Sequence, residues 1–133
     1  GSSQVAAAAP AASASSGPGA AARRPPADAG CGWRCTAVIK DEHPRAVYSA
    51  DWLPFGTAKS STSIATACGD NHVRIFQPRN EAALQDWACV AATEAHAGDV
   101  NCVAWCPKSL ADNGALLATA GDDSEVVLWR FSG

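Results

Sequence analysis

Short runs of apolar residues, separated by polar turn residues, fill the chain from residue 33 to its end. In residues 100–105, Val100, Cys102 and Ala104 alternate with Asn101 and Val103, which fits the two-residue period of a strand. Residues 116–120 and 126–129 are shorter apolar runs, and a Gly-Asp-Asp-Ser turn lies between them. No run has the 3.6-residue period of an amphipathic helix. The pattern therefore predicts an antiparallel meander of short strands and an all-β fold.

The same signals predict five more strands upstream. They lie at residues 33–39, 47–52, 64–67, 73–77 and 87–93. Residues 81–84, in the longer connection before the last of these strands, have a composition that permits one helical turn.

The two halves of this pattern are copies of each other. His43 and His96 are 53 positions apart, and several further pairs keep the same spacing. These pairs are Val47 and Val100, Trp52 and Trp105, Thr66 and Thr119, Asp70 and Asp123, and Phe76 and Trp129. Strand–turn–strand units repeated at a fixed period are typical of propellers and solenoids.

Each repeat predicts a four-stranded sheet. Residues 33–39 match residues 87–93 at a spacing of 54, so we interpret them as the fourth strand of a preceding unit. The second unit lacks its own fourth strand. A sheet with two apolar faces is stable only between like sheets, which is how propeller blades pack. We therefore predict that residues 31–133 form a partial β-propeller of about two four-stranded blades and are a fragment of a larger propeller.

Residues 1–30 differ in composition from the rest. They are almost entirely Ala, Ser, Gly and Pro, and they contain no aromatic residue. Such a segment buries too little apolar surface to offset the entropy lost on ordering, so we predict a disordered linker or insertion between blades. An organelle transit peptide is the alternative, because the segment also contains two arginines and few acidic residues.

Charge and hydropathy exclude several classes of partner. The net charge is -3 and the sequence has no basic stripe, which argues against nucleic acid. No apolar run approaches the ~20 residues of a membrane span, so we expect no membrane insertion. The six cysteines lie within or beside apolar strands and follow no secretory signal. We interpret them as free buried thiols in a reducing compartment, with a disulfide framework as the alternative.

Four residues of the second unit resemble the signature of the WD-repeat family: a His before the first strand, a Thr in the second, an Asp in the next turn and a Trp in the third. They are His96, Thr119, Asp123 and Trp129. The resemblance implies a structural chain of hydrogen bonds, from indole to hydroxyl to imidazole to carboxylate. The first unit offers His43, Thr66 and Asp70. Phe76 replaces the tryptophan there, and a phenyl ring cannot donate, so we expect a shorter network.

Two chemical alternatives use the same side chains. Thr119, His96 and Asp123 could be a nucleophile, a base and an orienting acid. An active site seldom recurs in every structural unit, so we predict no enzyme activity. The cysteine pairs 31/35 and 102/106 are each four residues apart. Four residues of strand span ~13 Å. Zinc–sulfur bonds are only ~2.3 Å long, so we predict neither a metal site nor a cofactor.

Longer phrases resemble a narrower family. The stretches 64–71, 73–77, 95–96, 99–105 and 48–52 are similar to the last two blades of the WD-repeat subunit of cytosolic iron–sulfur protein assembly. The resemblance implies a seven-bladed propeller in the cytoplasm, and also in the nucleus, that acts as a non-catalytic docking platform for targeting-complex subunits and client apoproteins. A generic WD-repeat adaptor of a ubiquitin ligase or of chromatin, and a protein that binds metal or clusters through its cysteines, are the alternatives.

The turns at one end of the predicted strands open onto one rim of the propeller. Five polar residues there are our predicted partner contacts: Arg45, Tyr48, Asp99, Asn101 and Asp122. An exposed tyrosine beside an arginine is a common anchor pair at protein interfaces. Alternatively, Tyr48 only packs between the blades.

Overall fold

The computed structural model describes residues 32–133, which form seven strands and no helix. The strands are β1 Val47–Trp52, β2 Ile64–Cys68, β3 His72–Pro78, β4 Trp87–Glu94, β5 Val100–Trp105, β6 Ala115–Gly121 and β7 Val126–Phe131. All seven strands predicted from residue 47 onward are confirmed, and so is the all-β class. The predicted linker at residues 1–30, as well as Cys31, lies outside the described residues.

The seven strands form two antiparallel sheets. The first sheet has the order β1-β2-β3-β4 and the second has the order β5-β6-β7. Their registers repeat: Trp52 pairs with Ile64 in the first sheet, and Trp105 pairs with Leu117 in the second. Both sheets also have an irregularity at the start of the first strand, between Val47 and Ser49 and between Val100 and Cys102. The internal repeat of the sequence is therefore a repeat of structure.

The main core lies between the two sheets. Strand β5 packs across β1, β2 and β3. The first sheet contributes Ala65, Ala67, Val73 and Ile75, while Val103, Trp105 and Leu117 face them from the second. Small residues on β2 allow the large indole and leucine side chains of the second sheet to approach closely, as dense packing requires.

Two side chains of β1 also bond the backbone of β5. Ser49 Oγ accepts a hydrogen bond from the Val103 N–H at 3.3 Å. Asp51 Oδ2 accepts one from the Trp105 N–H at 2.8 Å. Val103 and Trp105 are both buried, and a buried donor left unpaired would cost about 1–3 kcal/mol. These two bonds fix the position of one sheet against the other.

The prediction of a strand at residues 33–39 is wrong. The described structure assigns no strand there. A strand forms only where a neighbouring strand completes its hydrogen bonds. A fourth strand pairs with the third strand of its own unit, and residues 32–46 include no such strand.

Residues 79–86 connect β3 to β4. They form the single turn that their composition permits, because the Leu84 N–H bonds the Asn80 carbonyl at 3.1 Å. Asn80 Oδ1 accepts from the Ala82 N–H and caps this turn. The Arg79 Nε lies 3.3 Å from Asp86 Oδ2, and the Arg79 N–H bonds the Asp86 carbonyl, which together close the base of the loop.

The five described cysteines are free. Cys68 is buried as predicted, but the prediction of buried thiols is wrong for Cys35 and Cys102, which are exposed. The alternation of strand β5 that buries Val103 leaves Cys102 exposed, with its Sγ 3.9 Å from the Ser49 Oγ of β1. Within residues 32–133, no helix has the length and hydropathy needed to cross a bilayer.

Candidate functional site

His96, Thr119, Asp123 and Trp129 are joined by hydrogen bonds inside the second sheet. The Trp129 indole N–H donates to Thr119 Oγ1 at 3.0 Å. The Thr119 hydroxyl lies 2.8 Å from His96 Nε2, and His96 Nδ1 lies 2.9 Å from Asp123 Oδ1. With the proton of the imidazole on Nδ1, each group donates to the next one along the chain. Every polar atom of this buried row is thus satisfied, as a low-dielectric interior requires.

Backbone donors hold the carboxylate at the end of the row. Asp123 Oδ2 accepts from the Ala97 N–H at 2.9 Å, and Oδ1 accepts from the Glu125 N–H at 3.1 Å. The hydrogen bond from Ala97 is the main reason that the pKa of Asp123 is lowered, with His96 adding to the effect. The carboxylate is therefore charged at neutral pH and keeps the imidazole oriented.

The imidazole of His96 is buried directly against the backbone of Gly121. A Cβ atom on Gly121 would lie 2.5 Å from Cγ and 2.7 Å from Nδ1 of that ring. No side chain fits in this space, so Gly121 is required for the His96–Asp123 contact.

The first sheet has a different arrangement at the same positions. His43 Nε2 lies 2.9 Å from the Thr66 hydroxyl, as in the second sheet. Phe76, in place of the tryptophan, packs its ring against the imidazole of His43 with the centroids 5.4 Å apart. Asp70 is directed elsewhere: both of its carboxylate oxygens accept from the guanidinium of Arg74, and Oδ1 also accepts from the His72 N–H. The structure thus brings His43 and Thr66 together and engages Asp70 in a separate ion pair.

The residue equivalent to Gly121 explains this difference. Cys68 occupies that position in the first repeat, 53 residues earlier, and it is fully buried with its thiol on the Arg45 carbonyl. A Cβ at this position excludes the ring placement that His96 adopts. The ring of His43 therefore cannot take the same place, and the carboxylate of Asp70 pairs with Arg74.

The charges of the first sheet follow from these contacts. The hydrogen bond from Arg74 holds the pKa of Asp70 far below its usual range. Burial, and then the positive charge of Arg74, lower the pKa of His43. When His43 is neutral, its Nε2 can accept a hydrogen bond from the Thr66 hydroxyl. The neutral form is favoured because no carboxylate bonds this imidazole to stabilise a positive charge.

The hydrogen-bonded row of His96, Thr119, Asp123 and Trp129 gives a substrate no access to its hydroxyl group. Thr119 is buried, and its oxygen lies between the indole of Trp129 and the imidazole of His96. A nucleophile needs an open approach for the reacting carbon, within about 3–3.5 Å of the attacking atom. The geometry favours a structural role for this hydroxyl.

One cluster in the described part of the chain has the residue types and spacing of a metal site, and it contains no cysteine. His96, Asp123 and Glu125 offer ligand atoms within 4.8 Å of one another. The His96 Nδ1 in this group already donates to Asp123, and Asp123 already accepts from two backbone N–H groups. A metal ion would have to displace these hydrogen bonds, so we do not assign a site.

The five residues predicted as partner contacts lie close together at one end of the strands. The Tyr48 hydroxyl donates to Asp99 Oδ2 at 3.2 Å across the two sheets, and Asn101 Nδ2 donates to Asp122 Oδ1 at 2.7 Å. The Asp122 N–H bonds the Asp99 carbonyl. We call this group (Arg45, Tyr48, Asp99, Asn101 and Asp122) the rim cluster.

Gly69 is surrounded by three residues of the rim cluster, Arg45, Tyr48 and Asp99. A Cβ on it would be 3.2 Å from the Tyr48 ring and 3.5 Å from both Arg45 Cβ and Asp99 Oδ2. Tyr48 is 53% exposed even though it bonds Asp99, so it both bridges the sheets and faces outward. That hydrogen bond raises the pKa of Tyr48, so its hydroxyl keeps its proton.

Sequence reasoning missed Gly121, Cys68 and Arg74. Aligning the two repeats would have revealed the first two, because glycine and cysteine stand at the same position. It also missed Ser49 and Asp51, whose side chains bond the neighbouring sheet.

The comparison with known families agrees with this geometry. The family described as "WD domain, G-beta repeat" matches residues 33–77 and 87–130. The two matched segments coincide with the two repeats and cover most of the chain. This chain belongs to that family.

Individual relatives narrow the class. The chain is 38% identical over 106 residues to the "Probable cytosolic iron-sulfur protein assembly protein Ciao1" of Anopheles gambiae, a match that covers 78% of this chain and 28% of the relative. It is 39% identical over 104 residues to the protein of that name from Culex quinquefasciatus, covering 74% and 27%. The human protein CIAO1 is 36% identical over 102 residues, with the same coverage. The chain thus spans about a quarter of the length of these relatives.

Proposed function

We propose that this chain is part of a non-catalytic scaffold for cytosolic iron–sulfur protein assembly. The observation that carries the proposal is that the matched region spans both repeats and that the relatives it matches are named for that process. The buried row of His96, Thr119 and Asp123 supports the non-catalytic part, because its groups bond one another. In this proposal the iron–sulfur cluster is cargo carried by partners, and the chain needs no cofactor of its own.

The described sheets are, in this proposal, two blades of a propeller with about seven. Two repeats correspond to 28% of the length of a relative, so the whole length would hold about seven such units. We place the scaffold in the cytoplasm, as the names of the relatives suggest, and propose the nucleus as a second site of action.

We propose the rim cluster as the surface that binds partners, namely other subunits of the assembly complex and client apoproteins. Three of its residues lie on turns, while Tyr48 and Asn101 lie near the starts of β1 and β5, so the two sheets hold the cluster in place. It combines a half-exposed tyrosine with an exposed arginine, residue types that are enriched among the strongest contributors to protein interfaces. The bonds between Tyr48 and Asp99 and between Asn101 and Asp122 fix its shape before a partner arrives.

Charge reversal at Arg45 tests this surface. In the full-length protein, Arg45→Glu should reduce recovery of iron–sulfur assembly factors by about tenfold in a pull-down from cytosol. Lys108→Glu is the matched control, because it makes the same change in an exposed loop at the other end of β5. Unchanged recovery with Arg45→Glu would show that the rim cluster is not the interface.

The identity of the recovered proteins tests the function itself. Assembly factors and iron–sulfur enzymes are expected. Ubiquitin-ligase subunits or histones would instead indicate a general WD-repeat adaptor. Anaerobic reconstitution with iron and sulfide provides a separate test, since a stoichiometric visible absorption would mean that the chain itself binds a cluster.

A further inference from the structure

The rim cluster does not follow the internal repeat of the chain. Residues that hold a blade together recur at the spacing of 53, as His43 and His96 or Thr66 and Thr119 do. The rim positions instead differ in size and charge between the repeats: Arg45 corresponds to Gly98, Ala46 to Asp99, Tyr48 to Asn101, and Gly69 to Asp122. The formation of a blade therefore does not explain this set of side chains.

The two carboxylates of the rim cluster each keep one oxygen open. Asp99 accepts the Tyr48 hydroxyl at Oδ2, and Asp122 accepts the Asn101 amide at Oδ1. In the described part of the chain, Asp99 Oδ1 and Asp122 Oδ2 accept no hydrogen bond. The hydrogen bond and the charge of Asp99 raise the pKa of Tyr48, Asp122 adds to this rise, and the opposing effect of Arg45 is smaller. The potential at the Tyr48 hydroxyl is therefore negative.

The backbone holds these two carboxylates beside each other. The Asp122 N–H donates to the Asp99 carbonyl at 2.9 Å. Gly98 allows this close approach, because a Cβ there would lie 3.1 Å from the Asp122 Cβ. Two negative charges fixed side by side repel each other, and a cation bound between them relieves that repulsion.

Tyr48 adds an aromatic surface at the same place. Its ring lies against the backbone of Gly69, since a Cβ there would be 3.2 Å from the ring. Tyr48 is still 53% exposed, so the other side of the ring faces outward. An exposed tyrosine ring attracts a cation to its face, and in proteins that cation is more often arginine than lysine. Two carboxylates beside such a ring therefore fit a flat cation.

We propose that the rim cluster binds an arginine side chain of a partner protein. The guanidinium donates to the open oxygens of Asp99 and Asp122 and stacks on the ring of Tyr48. Its planar fork of five N–H donors serves two acceptors and a ring at once, whereas lysine offers a compact point charge. Arg45 pairs with neither carboxylate in the described structure, so it is left for an acidic group of the same partner.

This inference rests on the proposed function in one respect, which is that the rim cluster is the partner-binding surface. Nα-acetyl-arginine amide is the probe, added to the isotope-labelled 133-residue chain and followed by NMR. The backbone amide signals of Gly69, Asp99 and Asp122 should shift saturably, with a dissociation constant on the order of 1 mM for so small a probe. The citrulline analogue, which has the same shape without the charge, should shift none of them. The lysine analogue should bind about tenfold more weakly.

Three variants identify the groups that hold the probe. Asp99→Asn and Asp122→Asn keep the shape of the cluster and remove one charge each, so each should weaken probe binding about tenfold. Tyr48→Phe keeps the ring and should bind the probe within about twofold of wild type. Glu94→Gln is the matched control, because it removes an exposed carboxylate at the end of β4, outside the cluster, and should leave probe binding unchanged.

Four results would overturn the proposal. They are no saturable shift with the arginine probe, equal shifts with the citrulline analogue, equal affinity for the lysine analogue, and unchanged affinity in both folded asparagine variants. The pull-down separates this inference from the proposed function. In the full-length protein, Asp99→Asn/Asp122→Asn should reduce recovery of assembly factors as Arg45→Glu does. If only Arg45→Glu reduces recovery, the rim cluster is the interface but holds no arginine.

Discussion

The backbone of Gly121 lies directly against the imidazole of His96, so close that a Cβ atom would be 2.5 Å from the ring. This contact explains why one repeat joins its histidine to its aspartate and the other does not. Cys68, at the same position of the first repeat, has the Cβ that Gly121 lacks. This Cβ, together with the competing guanidinium of Arg74, separates the continuous row of the second sheet from the His43–Thr66 pair and the Asp70–Arg74 ion pair of the first.

Replacing Gly121 with alanine should break the row. The added methyl group must push the buried ring of His96 away from Asp123, which leaves a buried ring N–H unpaired and disturbs the packing around it. We expect Gly121→Ala to lower the free energy of unfolding by about 2–4 kcal/mol. Urea unfolding followed by tryptophan fluorescence measures the change. Gly56→Ala is the control, because its new Cβ would meet its nearest atoms at 3.4 Å, and a loss of similar size there would contradict our explanation.

The indole N–H of Trp129 should be coupled to the Thr119 hydroxyl. Trp129→Phe removes the donor, and Thr119→Val removes its acceptor. A double-mutant cycle should give a coupling free energy of about 1 kcal/mol. The matched cycle in the first sheet, Phe76→Leu with Thr66→Val, lacks such a donor and should give a coupling close to zero. Equal couplings in the two sheets would mean that packing alone holds the third strand in both.

The sequence was sufficient for the features that depend on local pattern. Alternation and turn residues located all seven strands, and the spacing of 53 between equivalent residues predicted two like sheets. Residues 33–39 have the same pattern but form no strand, because a strand also needs a partner that no local pattern supplies.

The details of the site depended on competition between side chains in space. Asp70 has the spacing of Asp123, yet Arg74, four residues further on, takes its carboxylate. In the second repeat Val127 stands in place of Arg74, so Asp123 remains available to His96. Motif spacing alone cannot reveal that Arg74 binds the carboxylate of Asp70, because Arg74 is not one of the motif residues.

Stability should fall in weakly acidic solution, in part through His43. Its pKa is lowered by burial and by Arg74, so the unfolded chain takes up this proton at a higher pH than the folded one. The free energy of unfolding should therefore decrease as the pH falls below about 6.5, the ordinary pKa of histidine. Urea unfolding at pH 7.5, 6.0 and 5.0 should show this loss in wild type and a smaller loss in His43→Gln.

The acidic groups extend this loss to lower pH. The pKa values of Asp70, bonded by Arg74, and of Asp123, bonded by the Ala97 N–H, are both lowered. Their stabilising effect is present above about pH 4 and is lost as the pH falls below it. Above pH 7.5, where His43 is neutral in the folded and the unfolded chain, wild type and His43→Gln should have parallel profiles. A slope of equal size in both proteins between pH 7 and 5 would exclude His43 as the cause.

The turn between β6 and β7 contains a strained residue whose replacement should stabilise the protein. Ser124 has a φ of 68°, and its equivalent in the first repeat, Asn71, has a φ of 71°. Asparagine tolerates this left-handed conformation far better than serine does, and glycine adopts it without strain. Ser124→Gly should therefore raise the free energy of unfolding by about 1 kcal/mol, with Ser124→Asn giving a smaller gain. Ser124→Ala keeps the strain and should give no gain. If alanine and glycine stabilise equally, the effect comes from the loss of the hydroxyl and the backbone at this turn is not the cause.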